Sequence, residues 1–506
     1  MKKKHTAGLA FAIAVFLVLL IPFAGLAWNG TQDDELGSEL AAFPQPTTET
    51  GAPNVDYLNQ LGDWFADHFA YRTELIDADS SLRSVVGAST SSQVVRGSDD
   101  WLYYSGELDD YLGRNVINTR GAYDIAHNLR LIQDTVESRG QTFFFTIAPD
   151  KSSVAGEHMP SYLQKGSTNN LKLLVPALND AQVNYIDITK AVTATADKGL
   201  WLKRDSHWNN EGALRAANVL AKHLGKDTSL FDEDDATQTA GEIGDLESLE
   251  APGSTAREPN LDFGQYDAFT YTSVQDLDDT GTFVEADNSQ EGDNEKSAHD
   301  LISTTSDLGD GSLFLFRDSF GNALLPFMAS QYENATFSKL TPYDLSACQD
   351  TDTVGIEIAE RHITDLALTP PSVLAPSSSA LSTSDSYLIP GDLPNVQKTK
   401  KTASSTSINA AMDGSFLKIS GIVDSALMDD SSEIEVAVRT PGQSRWQLLH
   451  PFYTIEADQS GQIQSENGYS LYTDAAAAEN GSIEVKVFVQ TEGTWHEAAH
   501  QTVTVN

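Results

Sequence analysis

Apolar residues are distributed along this chain in blocks whose periodicity changes at definable points. The basic stub Met1-Lys-Lys-Lys-His5 is followed by an almost wholly apolar run, Thr6–Trp28, and no charged residue occurs before Asp33. An apolar run of about 20 residues spans a bilayer, whereas a signal-peptide core has about 7–15. Residues 1–28 are therefore read as an N-terminal membrane anchor, with Gly25-Leu26-Ala27 offering the alternative of a cleaved signal peptide. Lysines stay on the cytoplasmic side, so both alternatives place the remaining chain outside the cytoplasm, in the cell envelope or secreted. Residues 29–55 are polar and punctuated by Pro and Gly, like a stalk. Over Tyr57–Leu82 the positions Leu58, Leu61, Phe65, Phe69 and Ile76 fall near one face of a helix.

From about residue 91 short apolar runs alternate with helical patterns. Thr142–Ala148, Asn184–Ile188, Ser312–Phe316 and Val354–Ile358 read as buried strands. Ala122–Ser138, Ala213–Leu224, Ala323–Tyr332 and Ala359–Leu366 read as helices. That alternation predicts an α/β domain with a doubly wound parallel sheet over 56–368. Residues 226–300 are rich in Asp, Glu, Gly and Thr and are expected to be an acidic, partly flexible insertion. Residues 369–407 are rich in Pro, Ser and Thr and read as a linker. Beyond it, Glu433–Arg439 and Ser482–Val489 alternate with period two, so 408–506 is expected to be a β-sandwich module with few ways to pack on the α/β domain. Its aromatic residues Trp446, Phe452, Tyr453, Tyr469, Tyr472 and Trp495 either fill that core or form a sugar-binding platform.

Charge narrows the function classes. The chain has 506 residues, with 32 Lys and Arg against 73 Asp and Glu, a net charge of −41. Such a chain repels phosphate at long range, which argues against a nucleic-acid partner. The single cysteine, Cys348, excludes a disulfide framework within the chain and a Cys-based zinc cluster.

The histidines locate the chemistry. His496-Glu-Ala-Ala-His500 has the letters of a zinc-protease motif, but its flanks alternate as strands and the chain supplies no third ligand downstream, so no metal is expected. His207 stands in Asp205-Ser-His-Trp208 ahead of a helix. In extended backbone Asp205 and His207 project to one side, as an orienting carboxylate and a base do; a helix-entry cap is the plainer alternative. In Ser312-Leu-Phe-Leu-Phe-Arg-Asp-Ser-Phe-Gly-Asn322 a strand ends, a sharp turn follows and a helix begins. Ser319 is thereby offered at the carboxyl end of a strand and close to helix N–H groups, or else simply caps the turn.

These segments together resemble the SGNH-hydrolase-like domain of the alginate O-acetylation proteins AlgJ and AlgX, the DHHW family. The resemblance runs over roughly 56–368 and is carried, in order, by Asp67–Arg72, Gly97–Tyr104, Ile147–Ser153, Asp205–Trp208, Phe316–Gly321 and Glu357–Arg361. Asp100 stands where the family has a second Gly, and the acidic segment is left out of the resemblance. The resemblance implies a catalytic triad of Ser319, His207 and Asp205, working without metal or bound cofactor. Lys151, Arg317, Asn322 and Arg361 become substrate or support residues, with Arg72 and Glu357 as further ion-pair candidates. It also implies an exported-polysaccharide O-acetyltransferase fed by a membrane-bound O-acyltransferase partner. A carbohydrate acetylesterase and a non-catalytic glycan-binding scaffold are the alternatives.

Overall fold

A computed structural model describes residues 91–193, 199–278, 281–286, 291–375, 387–388, 405–442, 446–459, 461–478 and 481–505, with Phe43, Gln45, Pro46, Asn54, Tyr57, Gln60, Leu61, Trp64 and Ser89 singly. The expected anchor, most of the expected helix over 57–82, the Asp67–Arg72 motif, and most of the stalk and linker lie outside the described residues. No helix among the described residues is long and apolar enough to cross a membrane.

The chain divides into two compact units. The first comprises Ser105 and preceding residues, Lys203–Ser206 and Gly241–Glu258. Its centre is an antiparallel hairpin, Val94–Arg96 with Leu102–Tyr104. Asp99 and Asp100 both take positive φ, 55° and 65°. That left-handed conformation suits Gly best and, among other residues, a short polar one such as Asp. Val94 and Leu102 pack on Leu246 of the helix Asp245–Glu250. Gly244 lets this helix approach residues 203–206, because a Cβ there would lie 2.2 Å from the Arg204 carbonyl.

The second unit holds the sheet and the β module. Its elements are α1 (Thr119–Glu137), β1 (Thr142–Ala148), α2 (Asn210–His223), β2 (Thr270–Leu277), β3 (Phe283–Glu285), β4 (Leu301–Thr305), β5 (Ser312–Phe316), α3 (Gly321–Ala329), β6 (Asn334–Ser338) and β7 (Thr353–Ala359). The seven strands order as β1-β7-β5-β6-β4-β2-β3. β1, β7, β5 and β6 are parallel, and β4, β2 and β3 extend the sheet antiparallel. The α/β sheet is therefore mixed: the acidic segment, expected as an insertion, supplies two of its strands. Asn184–Ile188 makes a single parallel bridge, Tyr185 to Phe145, rather than a strand. Asp187 ends it by accepting the Thr189 N–H at 2.9 Å and turning the chain into a helix. The pairings Ala148–Ala359 and Ile356–Phe316 bring the ends of β1, β7 and β5 to one rim of the sheet.

α1 is buried on two faces. Ile125, Leu129, Ile132 and Val136 join the sheet core, as their spacing requires. Arg120, Asp124 and Asn128, spaced four apart, are also buried, under the β module. That module is a sandwich of a five-stranded and a four-stranded antiparallel sheet around Ile434, Val436, Leu471, Val485 and Val487. It is not lightly attached. Phe452 and Ile455 belong to the α/β core, and Asn128 bonds both the N–H and the carbonyl of Tyr453 at 2.8 Å. All six aromatic residues offered above as a platform are buried, so they fill cores. His496 and His500 lie on the edge strand Thr494–Thr504, where His500 Nε2 meets Glu484 Oε1 at 2.8 Å.

Candidate functional site

The site begins where β5 leaves the core. Leu313–Phe316 are buried, so the strand is held until Phe316, and the next residues must reverse the chain into α3. Asp318 fixes that turn: its carboxylate accepts the Phe320 N–H at 2.9 Å and the Ala359 N–H at 2.6 Å, and meets His362 Nδ1 at 3.0 Å. Burial works against charge on Asp318, but His362, the Ala359 N–H and Arg361 outweigh it and hold the carboxyl below its usual range. Glu357 accepts the Asp318 N–H at 3.3 Å, and burial, then the Asp318 charge, push Glu357 well above the usual range. Gly321 is required at the helix start, because a Cβ there would lie 2.6 Å from Arg317 Cδ and 3.0 Å from Glu357 Oε2.

His207 comes from the segment that enters α2. Trp208, 1% exposed, anchors it by donating its indole N–H to the Phe320 carbonyl at 3.2 Å. Asn209 then caps α2 by accepting the Gly212 N–H at 2.9 Å. So placed, His207 Nε2 lies 2.8 Å from Ser319 Oγ. For Nε2 to accept the serine proton, the ring must carry its own proton on Nδ1. The imidazole meets the Phe320 ring edge to face, with centroids 4.8 Å apart. Within the first unit, Asp205 Oδ2 accepts the Asp245 N–H at 3.0 Å, and Asp245 takes both the N–H and the hydroxyl of Ser206, at 2.7 and 2.5 Å.

The other sequence-derived candidates gather on the same rim. Arg317 is buried and donates to Asn322 Oδ1 at 2.5 Å, the His299 carbonyl at 2.9 Å and the Asp318 carbonyl at 3.3 Å. Burial pushes its guanidinium down to about 10, with Glu357 and Asp318 opposing, so it stays charged at neutral pH. Arg361 meets Asp150 Oδ1 at 3.2 Å and lies over the Phe320 ring, 5.2 Å from its centroid. Lys151 is fully buried at the end of β1, beside the Glu107 charge. Sequence reasoning missed Asp245, Phe320, His362 and the buried acids Glu107, Asp110, Asp150 and Glu360. The acids carry no local signal, since their spacing is that of an ordinary solvated face.

A serine and a histidine in contact at the carboxyl rim of parallel strands form a candidate nucleophile–base pair in an α/β domain. Residues 94–290 match the family described as "SGNH hydrolase-like domain, acetyltransferase AlgX". The resemblance seen in the motifs is thus supported independently. The match runs through the acidic segment, which the motif comparison had left out, and it contains Asp205 and His207, while Ser319 lies beyond it. No curated protein matches the chain. Among solved structures, Bacillus cereus PatB1 with a sulfonyl adduct is similar at 17% identity and TM-score 0.41, over 53% of this chain and 94% of that one. A DHHW family protein from Eubacterium siraeum DSM 15702 aligns at 15% identity and TM-score 0.36, over 47% and 85%. Pseudomonas aeruginosa AlgX aligns at 13% identity and TM-score 0.33, over 80% and 94%. With TM-scores this low, none of the three carries an argument here.

Proposed function

We propose that this protein is an acetyltransferase that moves acyl groups to hydroxyls of an exported polysaccharide through an acyl-serine. The observation that carries this reading is the 2.8 Å contact between His207 Nε2 and Ser319 Oγ. In the first step the Ser319 proton passes to His207 Nε2 while Oγ bonds to the donor's acyl carbon. The donor's leaving group departs with that proton. In the second step a sugar hydroxyl gives its proton to His207 and bonds to the acyl carbon, and Ser319 leaves and regains a proton. The Ser319 N–H, two residues before α3, is the donor proposed for the developing oxyanion. Asp205, two residues before His207 in sequence, is assigned the orienting role. Neither step requires a metal or a cofactor. The remaining assignments follow the family resemblance and the N-terminal sequence: an extracytoplasmic site, attachment through residues 1–28, a membrane-bound O-acyltransferase as donor, a catalytic body over 56–368, a linker over 369–407 and a β module over 408–506.

The test is incubation of the chain with an activated acetyl ester, with and without a glycan acceptor, followed by mass spectrometry. Acetyl on Ser319 and then on glycan is the expected result. Acetyl on Ser319 that passes only to water makes the protein an esterase. Acetyl on another residue, or on none, removes the reading.

A further inference from the structure

Behind the site lies a second cluster that the acyl-transfer chemistry does not use. Glu107, Asp110, Asp150 and Glu360 are each at most 7% exposed. Carboxylate oxygens of Asp110, Asp150 and Glu360 lie within 4.8 Å of one another. At least one oxygen on each acid is fixed. Glu107 accepts the Ser152 N–H at 3.0 Å, Asp110 the Asn170 N–H at 2.8 Å and Glu360 the Asp150 N–H at 2.9 Å, and Asp150 meets Arg361 at 3.2 Å. The second oxygens of Glu107, Asp110 and Asp150 have no partner, although they are buried. The cations that act on these four carboxylates are Lys151, buried, and Arg361, largely so, with Lys165 on the solvent side, and Arg361 also serves Asp318, so the acids outnumber the cations that offset them. Burying a bare charge costs several kcal/mol or more, so such a group takes up a proton instead.

We propose that these carboxyl groups share protons at neutral pH, and that the cluster so neutralised holds Arg361 as a positioning residue for the His207–Ser319 pair. A proton between two of these carboxyl groups gives a buried oxygen the partner it lacks, and the sharing leaves fewer charges for Lys151, Arg361 and Lys165 to balance. Burial raises Glu107, Asp110, Asp150 and Glu360 alike, the last to about 8, in the same direction as the geometry. Around Glu360 the groups that set this balance are Asp110, Asp150, the Asn169 amide, which donates to it at 2.5 Å, Tyr185 and Arg361. Lys165, on the solvent side, lowers Asp110. Arg361, tied to Asp150, backs the Phe320 ring, and the same ring supports the His207 imidazole. Trp201 and Trp208 also pack edge to face on that ring, with centroids 5.8 and 5.0 Å away, so releasing Arg361 removes one of its supports and loosens the imidazole against Ser319.

The proton-sharing half stands on the cluster alone, whereas the positioning half rests on the acyl-transfer reading, and separate measurements address them. Thermal unfolding of the full chain is followed from about pH 5 to about pH 9 for wild type and Glu360→Gln. Glu360 is raised in the fold, so its contribution is complete below its ordinary range near 4.5 and is lost as pH rises through about 8. Glutamine cannot lose that proton, so the variant's midpoint should climb relative to wild type across this window. A constant offset overturns proton sharing, and so does a stoichiometric divalent metal whose removal by chelator lowers the midpoint. Arg361→Ala should lower kcat on an activated acetyl ester roughly tenfold to a hundredfold with KM unchanged. Arg361→Lys should recover only part, because an ammonium restores the charge beside Asp150 but not the flat contact on Phe320. Full recovery by lysine, or a change in KM alone, overturns positioning. If wild type forms no acyl-serine, the acyl-transfer reading has failed and the histidine NMR signals decide. Arg361→Ala should then shift the His207 imidazole resonances, and unchanged resonances overturn the proposal.

Discussion

Ser319 owes its placement to its neighbours more than to its own side chain. Asp318 gathers two N–H groups and His362, Arg317 lies beneath Gly321, and Phe320 receives the Trp208 indole through its carbonyl. The serine is thus presented to His207 by a turn that has few ways to relax. Serine and histidine that act as one unit lose activity together. Ser319→Ala and His207→Ala should each abolish acyl-serine formation, and the double variant should be no slower than either single one. A double variant far slower than both would show that they act separately. Asp205→Asn, assigned the orienting role, should cost on the order of 10⁴-fold if the family analogy holds. At this scale the sequence was legible where chemistry and backbone coincide. Asp-x-His ahead of a helix and Asp-Ser-x-Gly after a strand are both local patterns, and the fold brings His207 and Ser319 into contact. Glu107, Asp110 and Glu360 were not legible. An acid that will be buried looks the same in sequence as one that will be solvated; the pairing of β7 with β1 brings Glu360 to Asp150, and Glu107 and Asp110 join them from the short helical segment over 105–111.

The helix α1 shows the same limit one level up. Its apolar stripe was readable from spacing, and so was its approximate extent. Its polar stripe of Arg120, Asp124 and Asn128 has the spacing of a water-facing side, yet it is buried. Arg120 pairs with Asp124 at 2.7 Å and donates to the Ser432 carbonyl at 2.5 Å. Asn128 serves three backbone groups, the Leu366 carbonyl and both polar groups of Tyr453. The polar seam fixes the β module on the helix, and Phe452 and Ile455 carry that module into the core of the α/β body. Asn128→Ala leaves those backbone groups unpaired, at about 1–3 kcal/mol for each that finds no water. Denaturant unfolding should show a loss of about 2–4 kcal/mol in a single transition. Two separated transitions in the wild type, with only one moved by the substitution, would show that the module folds on its own. On the same grounds, deletion of residues 405–506 should lower the unfolding midpoint of what remains and reduce acyl-serine formation with it. Unchanged stability after deletion would restore the picture of a detachable module.

Across the whole molecule, 73 acidic side chains against 32 basic ones set the field an acceptor meets. The cations on the active rim do not offset it outward, because Arg317 and Lys151 are buried and Arg361 is tied to Asp150. A neutral glycan should therefore be a better acceptor at low salt than an anionic one of the same length. At 0.1 M salt, exposed charges more than about 10 Å apart are largely screened from one another. Added salt should lower KM for the anionic acceptor and leave the neutral one unchanged; the reverse trend would reveal a basic groove. The overall class, α/β followed by all-β, could be read from alternation of strand and helix patterns. The antiparallel extension could not, since β2 and β3 sit in a stretch whose composition resembles a loop. The strand order has a further consequence. β7 pairs with β1 on one side and β5 on the other, although it is the last of the three to be made. On the export route proposed above, a chain threading outward from its N-terminus leaves Phe143, Phe144 and Phe145 without their strand partner until β7 has followed. The rim that presents Ser319 closes only then, so on the proposed function the connectivity would withhold activity until nearly the whole α/β body had left the cytoplasm.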